Sequence, residues 1–132
     1  MSKINATISA IESEGIINII TFSTQKTTLK MISLELNEKV VVGQDVILIT
    51  KATSVALAKD LVGELSYSNQ IPCTIESIDQ GKILTTLLLK SDFLLESIIT
   101  TASLTRMKLQ MGDKVTALIK SSDLSISEFL SC

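Results

Sequence analysis

The sequence contains an internal repeat, which constrains the fold more than any other feature. Residues 4–12 align with residues 71–79, with apolar residues at matching places, and a glycine closely follows each segment. Further along, residues 42–46 align with residues 111–115. The offset is 67 positions at the first pair and 69 at Gly43 and Gly112, so only small insertions separate the copies. Internal similarity at one period indicates repeated structural units. We therefore expect two copies of one small module.

Each copy is predicted to be a β domain, the first at residues 1–64 and the second at residues 65–132. Residues 6–10 and 73–76 alternate small or apolar with polar side chains, which is the period of two of a strand. Thr and Ser near residues 101–108 supply cap chemistry for one short helical turn in the second copy. Further strands are predicted from β-branched or leucine-rich runs and from segments after glycine turns: residues 15–22, 46–51, 82–90 and 115–120.

The composition narrows the functional classes. Hydrophobic residues make up 45% of the 132 residues but aromatic residues only 3%, and 12 basic against 14 acidic residues give a net charge of −2. This hydrophobicity excludes the disordered class. Balanced charge and few aromatic residues argue against a nucleic-acid-binding OB domain, which usually has a basic surface and stacking rings.

The inventory of reactive groups predicts that the protein is not an enzyme. The chain has no His, the commonest general base, and its five glycines are spread singly, without a phosphate loop. Cys73 and Cys132 are too few and too far apart for a disulfide framework or a Cys-x-x-Cys metal site. No apolar run approaches the roughly 18 residues of a membrane span. We expect a cytoplasmic protein with no membrane partner.

The segment at residues 83–89 predicts an oligomer. Ile83, Leu87 and Leu89 lie on one face of this strand, and Leu84 and Leu88 on the other. A module of about 65 residues has too little interior to bury both faces. We expect the second face to pack against the other module or another chain, in a homo-oligomer with a β-rich interface. A single thick sandwich of the whole chain is the alternative.

Hydroxyl side chains and a lysine recur in register, and they suggest an anion site. Lys51-Ala52-Thr53-Ser54 occupies the place of Lys120-Ser121-Ser122-Asp123 in the second copy. Short hydroxyl side chains and backbone N–H groups at turns can surround a small tetrahedral anion. Molybdate, tungstate and sulfate are fully deprotonated at neutral pH and need only donors, whereas phosphate keeps a proton and also needs an acceptor. A donor cluster without a carboxylate favours the first group.

The second copy resembles the Mop or TOBE family of molybdate-binding modules. The resemblance rests on residues 95–103 and, more specifically, on the Gly-Asp-x-Val-Thr-Ala-Leu-Ile-Lys run at residues 112–120. Residues 66–71 are similar to the family's opening, Ser-Ala-Arg-Asn-Gln-Leu, and residues 51–59 to its ending. A tandem pair without a DNA-binding or ATPase domain resembles the molbindins, the free-standing members. The resemblance implies an OB-like five-stranded β-barrel in each module and oxyanion sites between modules.

The resemblance also implies which residues bind the anion, molybdate or tungstate. Thr100 and Ser103 match its Thr-x-x-Ser donors, and Lys120 with Ser121 matches its Lys-Ala/Ser pair. Other candidates come from the same motifs: Lys51, Ala52 and Thr53 in the first copy, Ser66, Ser68 and Asn69 in the opening, Ser122 in the second turn, and Ser33 in the place of Thr100. Ser68 stands where the family usually has Arg, which removes a bidentate cation.

Two functions remain open after these observations. The first is cytoplasmic storage or homeostasis of molybdate or tungstate. The second is a regulatory domain whose anion binding controls association with a transporter or transcription partner. For free-standing tandem modules the family suggests a homotrimer, with a dimer as the alternative.

Overall fold

The protein is described here by a computed structural model of residues 1–130. The second cysteine, Cys132, lies outside the described residues. Residues 1–130 form ten strands, one short α-helix and two single 3-10 turns. In chain order these elements are β1 (Ser2–Glu14), β2 (Ile17–Ser23), β3 (Thr28–Ser33), β4 (Asp45–Thr50), a 3-10 turn (Ala52–Ser54), β5 (Ala56–Ala58), β6 (Asn69–Gln80), β7 (Leu84–Lys90), β8 (Leu94–Thr100), α1 (Thr101–Arg106), β9 (Lys114–Ile119), a 3-10 turn (Ser121–Asp123) and β10 (Ser125–Phe129).

The ten strands form two five-stranded antiparallel sheets. Each half of the chain contributes one strand to the sheet of the other half. The first sheet has the order β10-β4-β1-β2-β3, and the second has the order β5-β9-β6-β7-β8. Strand β5 therefore follows the first four strands in sequence but pairs with β9, and β10 pairs with β4. The all-β class, the two five-stranded units and the short helix are confirmed.

The long strands β1 and β6 each contain a bulge at the same place in the repeat. The pairing register of β1 with β2 shifts between Ile8 and Ala10, and that of β6 with β7 shifts between Ile75 and Ser77. An extra residue in one strand reverses the alternation of its side chains. For this reason Ala10 is exposed rather than on the buried face with Ala6 and Ile8, as simple alternation predicts.

The core is aliphatic and continuous between the two sheets. It includes Ile4, Ile8 and Phe22 of the first half and Ile71, Leu87 and Leu89 of the second. In β7 one face is fully buried, while on the other face Leu84 is 55% exposed and Leu88 partly buried.

The prediction for Ile83 was wrong. Ile83 precedes the strand, in the turn that enters it, and is 73% exposed instead of lying on the buried face with Leu87 and Leu89.

Reciprocal hydrogen bonds join the halves. The Ser2 hydroxyl at the start of β1 accepts from the Glu96 N–H of β8 (2.8 Å). At the equivalent place, the Asn69 amide at the start of β6 accepts from the Lys30 N–H of β3 (2.7 Å) and donates to its carbonyl (3.0 Å). This reciprocity indicates an approximate two-fold relation between the halves.

The register of the hairpins corrects one alignment made from sequence. Ser33 pairs with Asn18, and Ile99 pairs with Thr85, the equivalent of Asn18. Ser33 therefore takes the place of Ile99, and Leu34 takes that of Thr100. The cause is the β2–β3 turn, which has one residue more than the β7–β8 turn, so that the repeat offset drops by one in β3.

Candidate functional site

Thr100 and Ser103 lie together at the junction between β8 and α1. The Thr100 backbone is extended and its hydroxyl accepts from the Ser103 N–H (3.1 Å), which makes it the N-cap of the helix. The same hydroxyl donates to the Ser103 Oγ (2.9 Å), and the Arg106 guanidinium also donates to this oxygen (3.3 Å). Thr100 is exposed and Ser103 half-buried, so two hydroxyls and a cation meet at the surface.

The two lysines of the repeated motif each precede a 3-10 turn. Lys51 and Lys120 are both extended, with ψ of 141° and 147°, and both side chains are exposed. Because of the exchanged strands, each turn packs across the molecule: Ala52–Ser54 lies against β8, and Ser121–Asp123 against β3. The Ser97 hydroxyl of β8 anchors the first turn by donating to the Val55 carbonyl (2.6 Å).

Because of this packing, the candidate anion-binding residues of the second half fall into two separate groups. Thr100 ends β8, which packs on the first half's turn, and Ser103 lies in the helix that follows it. Lys120 and Ser121, by contrast, begin the turn that packs on the first half's β3. Among residues 1–130, no side-chain hydrogen bond links the Thr100–Ser103 pair to Lys120 or Ser121.

A small cavity lies between the two turns, and we call it the inter-turn cavity. Its volume is about 260 Å³. The Thr50 hydroxyl closes one side by donating to the Asp123 carbonyl (3.0 Å). Polar residues from both halves line it: Thr50, Lys51, Ser54, Ser122, Asp123 and Ser125.

Ser33 and Ser122 line a second, larger and mainly apolar cavity of about 620 Å³. Its walls include Ile20, Met31 and Phe129. The Ser33 hydroxyl donates to the Glu35 carbonyl (2.5 Å). No helix follows β3 in the place that α1 takes after β8, so the counterpart of the Thr100–Ser103 pair is missing here.

The remaining candidates are spread more widely. Ser66 and Ser68 are exposed in the segment between β5 and β6, and Thr53 is exposed on the first turn, next to the buried Ala52. Asn69 is fully buried, and its side-chain amide forms hydrogen bonds with the backbone N–H and carbonyl of Lys30.

The charged groups of the described residues form no metal centre. No cluster of three or more Cys, Asp or Glu is placed to hold a metal ion within residues 1–130. Asp113, just before β9, accepts from the Gln110 N–H (2.9 Å) and forms an ion pair with Lys59 (3.4 Å). The hydrogen bond from Gln110, followed by Lys59, lowers the pKa of Asp113. Burial raises the pKa of the Cys73 thiol to about 11, so it is protonated at neutral pH.

Sequence reasoning missed four polar residues of the inter-turn cavity, namely Thr50, Ser54, Asp123 and Ser125. Two of these residues could have been proposed from the repeat, because Ser54 and Asp123 occupy the same position of the repeated motif. No local sequence pattern indicates that the two turns face one cavity, since this depends on the strand exchange.

Comparison with known proteins found a matching family profile and similar solved structures. The profile of the TOBE domain family matches residues 65–126. Among solved structures, the cytoplasmic molybdate-binding protein ModG, in a crystal form grown from PEG with molybdate bound, is similar with a TM-score of 0.89. The similarity covers 94% of this chain and 93% of the ModG chain at 21% sequence identity. No curated protein sequence matches the chain significantly.

The family profile covers most of the second half of the chain, and the similarity in fold extends over both halves. No helix among residues 1–130 has the length and apolar character of a membrane span. Residues 65–126 carry the TOBE sequence pattern, and the first four strands repeat the arrangement of the second half. Residues 65–126 match the profile of the TOBE domain family, and the chain as a whole is similar in fold to ModG.

Proposed function

We propose that this protein binds molybdate or tungstate in the cytoplasm, for storage or homeostasis. The observation that carries the proposal is the pair of adjacent hydroxyls, Thr100 and Ser103, with the Arg106 guanidinium on the second of them. Likeness to ModG, a cytoplasmic molybdate-binding protein, supports the same ligand class. A donor set of this kind suits an anion that carries no proton. Nothing among the described residues favours the regulatory alternative.

Local donors explain how a chain of net charge −2 could hold a dianion. Each hydrogen bond to a charged group contributes about 1.5–3 kcal/mol, so five or six could give micromolar affinity after the costs of association. The proposed donors are Thr100, Ser103, Lys120 and Ser121. Since the last two pack elsewhere in the same chain, one site would combine Thr100 and Ser103 with the lysine turn of another module.

Association of copies is part of the proposal. Ile16 and Ile17 before and in β2 are 72% and 51% exposed, and their equivalents Ile83 and Leu84 are 73% and 55% exposed. These outward apolar pairs support a homo-oligomer, and the resemblance to free-standing tandem modules supports a trimer over a dimer. Sedimentation at micromolar concentration should show a mass above that of one chain, and a clean monomer would contradict association.

Titration calorimetry tests the ligand. We expect heat with molybdate and tungstate at protein concentrations well above micromolar, with sulfate, a smaller tetrahedral dianion, as the comparison. Ser103→Ala should weaken binding about 10-fold or more, because it removes one hydrogen bond to a charged ligand. Ser127→Ala, an exposed hydroxyl on β10, is the control and should leave the affinity unchanged. The absence of heat with all three anions would refute the function.

Lys120→Ala tests the residue assignment separately. We expect weaker molybdate binding with unchanged thermal stability, since the Lys120 side chain is exposed. Unchanged affinity would refute the role of Lys120 while leaving the function intact.

A further inference from the structure

We propose that Lys59 is a positioning residue for oxyanion binding: it holds the end of helix α1, at whose start Thr100 and Ser103 lie. Lys59 directly follows β5, in the segment that joins the two halves of the chain. The inference rests on the proposed function, because it assigns a role in the binding of the same anion.

The Lys59 ammonium lies at the C-terminal end of α1. It donates to the backbone carbonyls of Met107 and Lys108 (both 3.3 Å). It also pairs with Asp113 (3.4 Å), whose carboxylate accepts from the Gln110 N–H (2.9 Å). A cation is favourable at this place, because the last carbonyl groups of a helix lack intrahelical partners and carry partial negative charge. One side chain therefore holds both the helix end and the turn that leads to β9.

Helix α1 needs such support from the rest of the chain. It has only six residues, Thr101–Arg106, and isolated helices shorter than about 12–15 residues are marginal in water. Leu104 anchors its middle in the core. Just after the helix, Lys108 has a φ of 52°, in the left-handed region that a residue with a side chain rarely adopts. The hydrogen bond from Lys59 to the carbonyl of Lys108 stabilises this turn.

The first half of the chain provides an internal comparison. Strands β10 and β5 pair with equivalent strands, and their registers place Phe129 beside the first sheet where Lys59 stands beside the second. The equivalent of Lys108 is Lys39, whose ammonium lies 6.0 Å from the centre of the Phe129 ring. Among residues 1–130, no helix forms between β3 and β4, and Lys39 has no positive φ. The helix and its left-handed end thus occur only where the lysine is present.

The helix connects Lys59 to the proposed anion donors. Arg106, in the last turn of α1, donates to the Ser103 Oγ (3.3 Å), so the two ends of this short helix are joined through one side-chain contact. Groups that bind a ligand must be held within about 0.5 Å of their productive positions. Without the Lys59 ammonium the helix end is released, and Arg106 and Ser103 lose their fixed positions.

Titration calorimetry with molybdate tests the role of Lys59. Lys59→Met removes the ammonium and keeps most of the side chain, and we expect the affinity to fall about 5-fold or more, as for the loss of one ordinary hydrogen bond. Lys59→Arg should restore most of the affinity, because a guanidinium can donate to the same carbonyls. Lys90→Met is the matched control. It removes the same charge from an exposed lysine that pairs with Leu94, at the end of β8 far from Thr100, and should leave the affinity unchanged.

Amide hydrogen exchange without ligand separates positioning from a general loss of stability. In Lys59→Met we expect faster exchange at Met107 and Leu109, whose N–H groups bond to the carbonyls of Ser103 and Leu104, and unchanged exchange in β1 and β2. Since the ion pair is partly exposed, Tm should change little.

The outcomes distinguish this proposal from the proposed function. No heat with molybdate in the parent protein refutes the proposed function. Heat in the parent with unchanged affinity in Lys59→Met refutes only the role of Lys59, and an equal loss in Lys90→Met does the same. Weaker binding without faster exchange at the helix end, or without recovery in Lys59→Arg, would also overturn the proposal.

Discussion

Asp92, in the turn between β7 and β8, is expected to hold the two halves together through its charge. Its Oδ2 accepts from the Thr24 hydroxyl (2.5 Å) and the Lys26 N–H (3.0 Å) of the β2–β3 turn. Its Oδ1 accepts from the Thr27 hydroxyl (2.9 Å) and from the neighbouring Ser91 (2.9 Å). One carboxylate therefore joins the equivalent turns of the two halves, and Asp92→Asn removes its charge without changing its shape.

The magnitude follows from these four hydrogen bonds. Bonds to a charged acceptor are roughly twice as strong as neutral ones, so each loses about 0.5 kcal/mol when the acceptor becomes an amide. Since the hydroxyls of Thr27 and Ser91 can rotate to accept from the new NH₂ group, we expect a total loss of about 2 kcal/mol at pH 7. For a chain of this length that corresponds to roughly 5–10 °C in Tm.

The pH dependence gives a second, sharper test. Burial raises the pKa of Asp92, but the hydrogen bonds from Thr24, Lys26, Ser91 and Thr27 outweigh it and hold this pKa well below its ordinary value. A group whose pKa is lowered by folding contributes its full stability above the unfolded pKa, about 3.9, and loses it as pH falls through the folded pKa. The difference between the parent and Asp92→Asn should be constant above pH 5 and narrow below pH 4.

Urea unfolding of both proteins from pH 7 to pH 2 measures this difference. Asp79→Asn, which removes an exposed carboxylate on β6, is the control and should change the free energy of unfolding by less than about 0.5 kcal/mol. The reasoning would be refuted by a loss below about 0.5 kcal/mol in Asp92→Asn at pH 7. A loss that stays constant down to pH 2 would also refute it, because the effect would then not come from the charge.

Four further predictions concern other residues and contacts of the structure. Asn69→Ala should cost about 2 kcal/mol in urea unfolding, because it leaves the Lys30 backbone N–H and carbonyl unpaired at the part-buried edge of β3. Thr100→Ala should cost about 1 kcal/mol through the lost helix cap, whereas Thr100→Ser should restore it in thermal melts. The Cys73 thiol, whose pKa burial raises to about 11, should react with thiol reagents at pH 8 only after unfolding, measured with the terminal cysteine replaced by serine. Calorimetric unfolding should show one transition, because each sheet contains a strand of the other half, and two separate transitions would contradict this.

The repeat made the main strands predictable because each copy carries the same local signals. Alternation placed β1 and β6, and glycine turns placed the starts of β4 and β9, where Gly43 and Gly112 have positive φ of 95° and 86°. Strands β3 and β8 were not predicted, and neither were the short strands β5 and β10. Strands β5 and β10 have three and five residues, and their place is decided by pairing with the other half, which no local pattern reports.

The candidate site was predictable only in part. The Thr100–Ser103 pair is local, since four residues and one helix start determine it, and sequence spacing placed both hydroxyls together. The position of Ser33 was missed by one residue because it depends on the length of a distant turn. The inter-turn cavity depends on tertiary packing alone, as Ser54 and Asp123 are 69 positions apart.

Because the two halves exchange strands, one substitution can change a cavity that both halves share while the fold is retained. Because both lysine turns line the inter-turn cavity, one substitution at Asp123 alters the charge of a space shared by the two halves. The Asp123 side chain makes no hydrogen bond within the described residues, and only its backbone carbonyl accepts, from Thr50. Replacing the Asp123 side chain therefore breaks no hydrogen bond between the halves, whereas replacing Asn69 or Asp92 does. Net charge of the whole chain is therefore a poor guide to its ligands, since affinity for an anion is decided by a few groups whose positions are fixed by contacts between the copies.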